Sequence, residues 1–224
     1  MGEVLRVGVL VSGTGTNLQA LIDACRAGEV PAEIAVVISN VPGAYALERA
    51  RRAGIPAVVH DHRRFPTREA FEQALRDSLL AHRVELVCLA GFLRILSPGF
   101  VRAFAGRIMN IHPALLPAFG GKGMYGDRVH RAVLASGARL SGCTVHFVTE
   151  VPDAGPIILQ AAVPVLDDDT PETLASRVRR EECRLYPEAV RLFAEGRLRI
   201  EGNRVRILPE VAAGAAGGSQ EKSS

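Results

Sequence analysis

Between residues 5 and 90, short apolar runs alternate with amphipathic stretches, and this rhythm leaves the chain very few folds. Residues 5–11, 34–38, 57–59 and 86–90 are apolar runs of strand length, and residues 18–27, 45–53 and 68–82 place apolar side chains at helical spacing between them. A strand apolar along its whole length is buried on both faces, and strands separated by helices pair in parallel. The pattern predicts an α/β fold, a mostly parallel sheet with helices on both faces. Asn17 stands at the entry of the first helix.

The second half continues the pattern, with strands predicted over 107–111, 139–148 and 157–165. Residues 171–195 read as a long amphipathic helix with Leu174, Val178, Leu185, Val190 and Phe193 on its apolar face. Pro187 inside it predicts a kink or a break, because proline lacks the N–H the helix needs. Residues 198–200 and 205–208 predict a small hairpin around Gly202-Asn203. The last stretch, 212–224, is Ala, Gly, Ser and charge, without the apolar bulk to fold. One domain over 1–208 is expected, followed by a disordered tail over 209–224.

Composition narrows the function. A chain of 224 residues, 48% hydrophobic, is ample for one buried α/β domain and short for two. The net charge of +3 is spread along the chain, which fits a solvated surface and no nucleic-acid partner. Cys25, Cys88, Cys143 and Cys183 lie far apart, so no metal knuckle or redox pair is spelled, and isolated thiols fit a reducing compartment. No apolar run approaches the roughly 20 residues of a membrane span, and no signal-peptide pattern precedes the first strand. A cytoplasmic protein with no membrane partner is expected.

Two local motifs carry chemistry. Ser12-Gly13-Thr14-Gly15-Thr16-Asn17 links the first strand to the first helix. Such a turn brings backbone N–H groups and a helix N-terminus to one point, as an anion requires. A dinucleotide fingerprint would want glycine where Leu18 stands and an acid where Ser39-Asn40 stands, and a Walker loop would want Gly-Lys-Ser/Thr. What remains is a site for one phosphate or phosphoribosyl group, or a tight turn with no ligand.

The second motif is Asn110-Ile111-His112-Pro113, with Asp153 some forty residues on in Val151-Pro152-Asp153-Ala154-Gly155-Pro156. Alternate strand residues share a face, so the Asn110 amide and the His112 imidazole project together. An amine attacking an acyl carbon leaves an oxyanion and an excess proton. Asn110 can donate to the former, and His112, titrating near neutrality, can relay the latter. Asp153 beside it would raise the imidazole pKa. Taken singly, a histidine before proline is more often structural and an Asp near glycine is usually a turn residue. His60, His62, His82, His130 and His146 take structural readings, His146 as a satisfied sheet histidine. No metal is required.

With these residues in place, the chain resembles the phosphoribosylglycinamide formyltransferase family, the folate-dependent enzymes of purine synthesis. The resemblance runs from about Arg6 to Ile200. It is carried by Val11-Ser12-Gly13-Thr14-Gly15-Thr16-Asn17-Leu18-Gln19-Ala20, Leu89-Ala90-Gly91-Phe92-Leu93-Arg94-Ile95-Leu96-Ser97, Asn110-Ile111-His112-Pro113-Ala114-Leu115-Leu116-Pro117, and His146-Phe147-Val148-Thr149 through Asp153-Ala154-Gly155-Pro156-Ile157-Ile158. It implies a single-domain, Rossmann-like formyltransferase fold, and transfer of a formyl group from the cosubstrate 10-formyltetrahydrofolate to glycinamide ribonucleotide. Asn110, His112 and Asp153 match the catalytic residues. Gly15, Thr16 and Asn17 would hold the substrate phosphate, and Arg179 and Glu182 would contact the glycinamide substrate. Arg68, Leu93, Arg94, Ile95 and Leu96 would line the folate pocket together with Asn110 and Asp153. In that pocket residues 93–96 offer backbone groups and apolar surface, and Thr149, Glu150 and Val151 lie in the loop closing over it. The glycine-rich connection 118–127 reads as a mobile lid. A monomer or homodimer is expected.

Two relatives of this core carry extra domains: methionyl-tRNA formyltransferase a C-terminal one, and formyltetrahydrofolate hydrolase an N-terminal one. The first strand here begins almost at Met1 and the last apolar run ends near Ile207, so neither extension is expected. A non-catalytic binder of phosphorylated metabolites is the remaining alternative.

Overall fold

The computed structural model describes residues 4–210, so residues 211–224 of the expected tail lie outside it. In chain order the elements are β1 (Leu5–Val11), α1 (Thr16–Arg26), β2 (Ala32–Ser39), α2 (Tyr45–Arg52), β3 (Ala57–Val59), α3 (Arg68–Ala81), β4 (Leu86–Leu89) and α4 (Pro98–Ala103). They continue with β5 (Ile108–His112), α5 (Asp127–Ser136), β6 (Leu140–Phe147), β7 (Ile157–Pro164), α6 (Pro171–Ala194), β8 (Leu198–Glu201) and β9 (Arg204–Ile207). The strands form one nine-stranded sheet in the order β3-β2-β1-β4-β5-β6-β7-β9-β8. Strands β1 to β5 pair in parallel, whereas β6 runs antiparallel to both β5 and β7.

Strand alternation divides the core between the two faces. Val7, Val9 and Val11 of β1, with Met109 and Ile111 of β5, pack among the buried residues of α1, α2, α5 and α6. Leu10, Val36, Ile38, Val87 and Ile108 face the other way, onto Phe71, Leu75 and Leu79 of α3 and Phe100, Val101 and Phe104 of α4. Gly8 leaves space for this second layer, since a Cβ there would sit 2.6 Å from Leu79 Cδ2.

Three sequence expectations change. Helix α1 begins at Thr16, with Gly15 as its N-cap at φ +76°, two residues earlier than a helix from Leu18 with Asn17 at its entry. A Cβ on residue 15 would meet Ala46 Cβ at 2.7 Å, so glycine answers both the left-handed backbone and the close approach of α2. Helix α6 runs unbroken through Pro187. The missing N–H deprives only Cys183 of a partner, while Leu185, Tyr186, Ala189, Val190 and Leu192 around it are all buried, and their packing keeps the helix continuous. Helix α4 is an addition. Six residues are too few to show a helical period, yet Ser97 caps it by accepting from Phe100 N at 3.2 Å and Pro98 opens it.

Candidate active site

The strand order reverses beside β1: the chain proceeds to β2 and β3 on one side and to β4 and β5 on the other. In open α/β sheets ligands bind at the carboxyl ends of the strands at such a point. A cleft of about 490 Å³ opens there, lined by the loops after β1 and β4, the end of β5, the 121–127 connection and α6.

At the β1 end, Gln19 N bonds Gly15 O at 2.9 Å, the first bond of the helix ladder, so the preceding N–H groups of α1 are left for a ligand. The carbonyls that would repel an anion are turned away. Gly13 O accepts from Ala46 N at 3.0 Å, and Thr14 O accepts from the Arg49 guanidinium at 2.8 Å. Gly13 through Asn17 line the cleft as the phosphate reading requires. The loop is also tied to the next wall, because Ser12 Oγ accepts from Leu93 N at 2.8 Å and donates to Asn40 Oδ1 at 2.5 Å.

The wall after β4 contains Leu93, Arg94, Ile95 and Leu96, all lining the cleft. Leu93 and Ile95 are more than half exposed although apolar, and present apolar surface to the cleft. Of the backbone groups expected to meet a ligand, two are already engaged: Leu93 N by Ser12 and Ile95 O by Arg68 at 2.5 Å. Arg68 does not line the cleft. Its guanidinium pairs with the buried Glu72, which also accepts from Ser97 N at 2.7 Å, so Arg68 and Glu72 together brace this wall from behind. Thr149 and Glu150 reach the cleft; Val151 is exposed outside it.

At the end of β5, Asn110 and His112 project into the cleft with Asp153 across from them. Asp153 adopts φ +54°, rare for a residue with a side chain, and this turn directs its carboxylate at two imidazoles. Its Oδ2 lies 3.7 Å from His112 Nδ1, and its Oδ1 lies 3.7 Å from His146 Nε2. Oδ2 also accepts from Gly121 N at 2.8 Å, and the His112 Nε2–H meets Phe119 O at 2.8 Å. The first part of the glycine-rich connection is therefore hydrogen-bonded to both catalytic candidates.

His146 is a satisfied sheet histidine, as expected, but it also belongs to the site: it is the direct cross-strand partner of Asn110 in the antiparallel β5–β6 pair and lines the cleft. Its Nδ1 faces Phe147 O at 2.9 Å and so carries the proton, which leaves Nε2 to accept from Asn110 Nδ2 at 3.2 Å. That contact orients the Asn110 amide with its nitrogen inward and one N–H still free.

Asp153 raises the His112 pKa as expected, but a larger effect opposes it. Burial lowers the His112 pKa and outweighs the opposing pull of Asp153 and of Phe119 O; His146 lowers it further. His112 is therefore neutral at pH 7, with Nδ1 as a bare lone pair. Burial alone would raise the Asp153 pKa, but His146, His112 and the Gly121 N–H overcome it, and the carboxyl stays ionised.

Helix α6 supplies the remaining groups. Tyr186, fully buried, shares its hydroxyl proton between Leu89 O at 3.0 Å and Met109 O at 3.1 Å, which locks α6 to β4 and β5. Glu182 stands one turn before Tyr186 and Arg179 one turn before Glu182, so both share its face and line the cleft. Glu182 Oε2 accepts from Asn17 Nδ2 at 3.1 Å, joining α6 to the phosphate loop. Burial raises the Glu182 pKa, against Asn17 and Arg179. Among the described residues no three His, Cys, Asp or Glu side chains are grouped to hold a metal ion, and no helix is long and apolar enough to cross a membrane.

Comparison with known proteins places this geometry. The chain is 46% identical to the phosphoribosylglycinamide formyltransferase of Haemophilus influenzae over 88% of its length and 91% of that protein. It is 49% identical to the trifunctional purine biosynthetic protein adenosine-3 of Gallus gallus over 88% of its length, but spans only 19% of that larger protein. Its fold matches the crystal structure of glycinamide ribonucleotide transformylase 1 from Symbiobacterium toebii with a TM-score of 0.89 and 56% identity, covering 93% of this chain and 96% of that one. A family model described as formyl transferase matches residues 5–190, nearly the whole described sheet with its site, and the chain belongs to that family.

Proposed function

We propose that this chain transfers the formyl group of 10-formyltetrahydrofolate to the amine of glycinamide ribonucleotide, in purine synthesis. The observation that carries the reading is the continuity of one cleft: the anion-suited loop at Gly13–Asn17 and the Asn110–His112–Asp153 cluster open into the same space. A phosphorylated substrate held at the loop would extend its other end to the imidazole. The relatives from Haemophilus influenzae and Escherichia coli, of which the chain covers 91% and 92%, are named phosphoribosylglycinamide formyltransferase, which supports the reading.

In this reading the folate lies along Leu93–Leu96, its apolar ring on the exposed side chains and its polar edge on the backbone groups that remain unpaired. Arg68 acts through Ile95 and Glu72. Thr149, Glu150 and Val151 form the rim. As the amine attacks the formyl carbon, negative charge gathers on the carbonyl oxygen, and the free Asn110 N–H donates to it. The C–N bond to the amine forms, and its excess proton passes to the bare Nδ1 of His112. The imidazolium is then opposed by ionised Asp153, and its proton returns to the folate nitrogen as that C–N bond breaks. Glu182 and Arg179 hold the glycinamide and ribose portion from the α6 side.

The phosphate assignment has a separate test. Thr16→Ala or Asn17→Ala raises the KM for glycinamide ribonucleotide about tenfold, the loss of one charge-assisted hydrogen bond, and leaves kcat and the KM for folate near their starting values. Steady-state kinetics with the ribonucleotide and with its dephosphorylated analogue measure this. Equal weakening toward both compounds would place the phosphate elsewhere.

A further inference from the structure

Lining the cleft is a buried titratable side chain that neither the sequence nor the catalytic reading uses. His130 sits on α5, 5% exposed, and lines the cleft within electrostatic reach of Arg179 and His112. Its Nδ1 is one of two buried side-chain polar atoms among the described residues that have no hydrogen-bond partner. Its Nε2 is not among them, so of the two ring nitrogens it is the one left in contact with the cleft or solvent.

A buried polar group without a partner loses its full solvation, and native structures seldom tolerate one unless a ligand or water completes it. The proton therefore belongs on Nε2, where an acceptor can arrive; on Nδ1 it would be sealed away from any. Burial lowers the His130 pKa, Asp127 opposes this, and Arg179 and His112 add to it, so the ring is neutral at pH 7 and donates one N–H. A neutral donor beside the Arg179 cation suits an acceptor oxygen of a substrate that is itself anionic, because it adds a bond without adding repulsion to the cation. Arg179 and Glu182 belong to the ribonucleotide end, since Glu182 is bonded to Asn17 of the phosphate loop.

We infer that His130 is a substrate-binding residue, whose Nε2–H donates to an acceptor oxygen of the phosphoribosyl substrate. This rests on the functional reading above. The test is a proton–nitrogen NMR titration of the intact ¹⁵N-labelled protein with glycinamide ribonucleotide, then separately with folate, following the His130 imidazole and the Gly15, Thr16 and Asn17 amides. The expected result is an Nε2–H tautomer whose Nε2 signal moves with the ribonucleotide and stays in place with folate. In parallel, His130→Leu raises the ribonucleotide KM about tenfold, as one lost hydrogen bond would, and His130→Gln, which keeps an N–H donor, recovers part of it. A silent His130 signal while the loop amides move overturns the inference and leaves the function standing, as does movement with folate alone. Silence of both groups overturns the two together.

Discussion

Asn110→Ala lowers kcat by about 10²–10³-fold, the usual consequence of losing an oxyanion donor, while the KM of each substrate changes little. The magnitude follows from where the amide stands. One Asn110 N–H is committed to His146 Nε2 at 3.2 Å, and the other faces the cleft. The amide is held before reaction begins, so its donor needs no reorganisation when charge develops, and truncation removes an interaction made only in the transition state. Side-chain loss at the end of β5 leaves Met109 and Ile111, which anchor the strand in the core, untouched. Steady-state kinetics, with thermal denaturation to confirm folding, decide the matter. Turnover near the starting value would take Asn110 out of the mechanism.

Asp153→Asn lowers turnover by about 10²–10⁴-fold, the range over which a positioned acid–base group contributes, and also shifts the pH–rate profile. Asparagine tolerates the left-handed backbone at φ +54° and retains an oxygen for Gly121 N, so the turn survives. What disappears is the negative charge 3.7 Å from His112 Nδ1. That charge raises the His112 pKa against the lowering effect of burial, so its removal drops the pKa further. His112 accepts a proton in its neutral form. A lower pKa keeps that form to lower pH, and the acid limb of kcat/KM moves toward lower pH. A profile unchanged in position would show that Asp153 and His112 are not coupled.

The first half of the fold was readable because each element there obeys its own period: β1, β2 and β4 are apolar without interruption over residues 7–11, 34–38 and 86–89, and α3 repeats Phe71, Leu75 and Leu79. Asn110 and His112 were readable for the same reason, since alternation on a strand is local. His146 was not, because its place in the site comes from the antiparallel register Asn110↔His146, which joins residues far apart in sequence. The sign of the His112 shift was also beyond reach. The attraction of Asp153 is a matter of residue type, whereas burial depends on the whole surrounding shell, and burial dominates. Arg68 illustrates a related limit: a helix-start arginine can meet a ligand or brace the wall that does, and only the positions of Glu72 and Ile95 O decide.

The central claim, that one cleft joins a phosphoribosyl amine to a folate formyl group, is tested most directly by following folate absorbance with purified protein. Glycinamide ribonucleotide, charged initiator tRNA and water are offered in turn as acceptor. The account predicts rapid loss of 10-formyltetrahydrofolate with the ribonucleotide and formylated ribonucleotide as product, with neither tRNA nor water replacing it. Turnover with water or tRNA in the ribonucleotide's place, or none with any of the three, would contradict it.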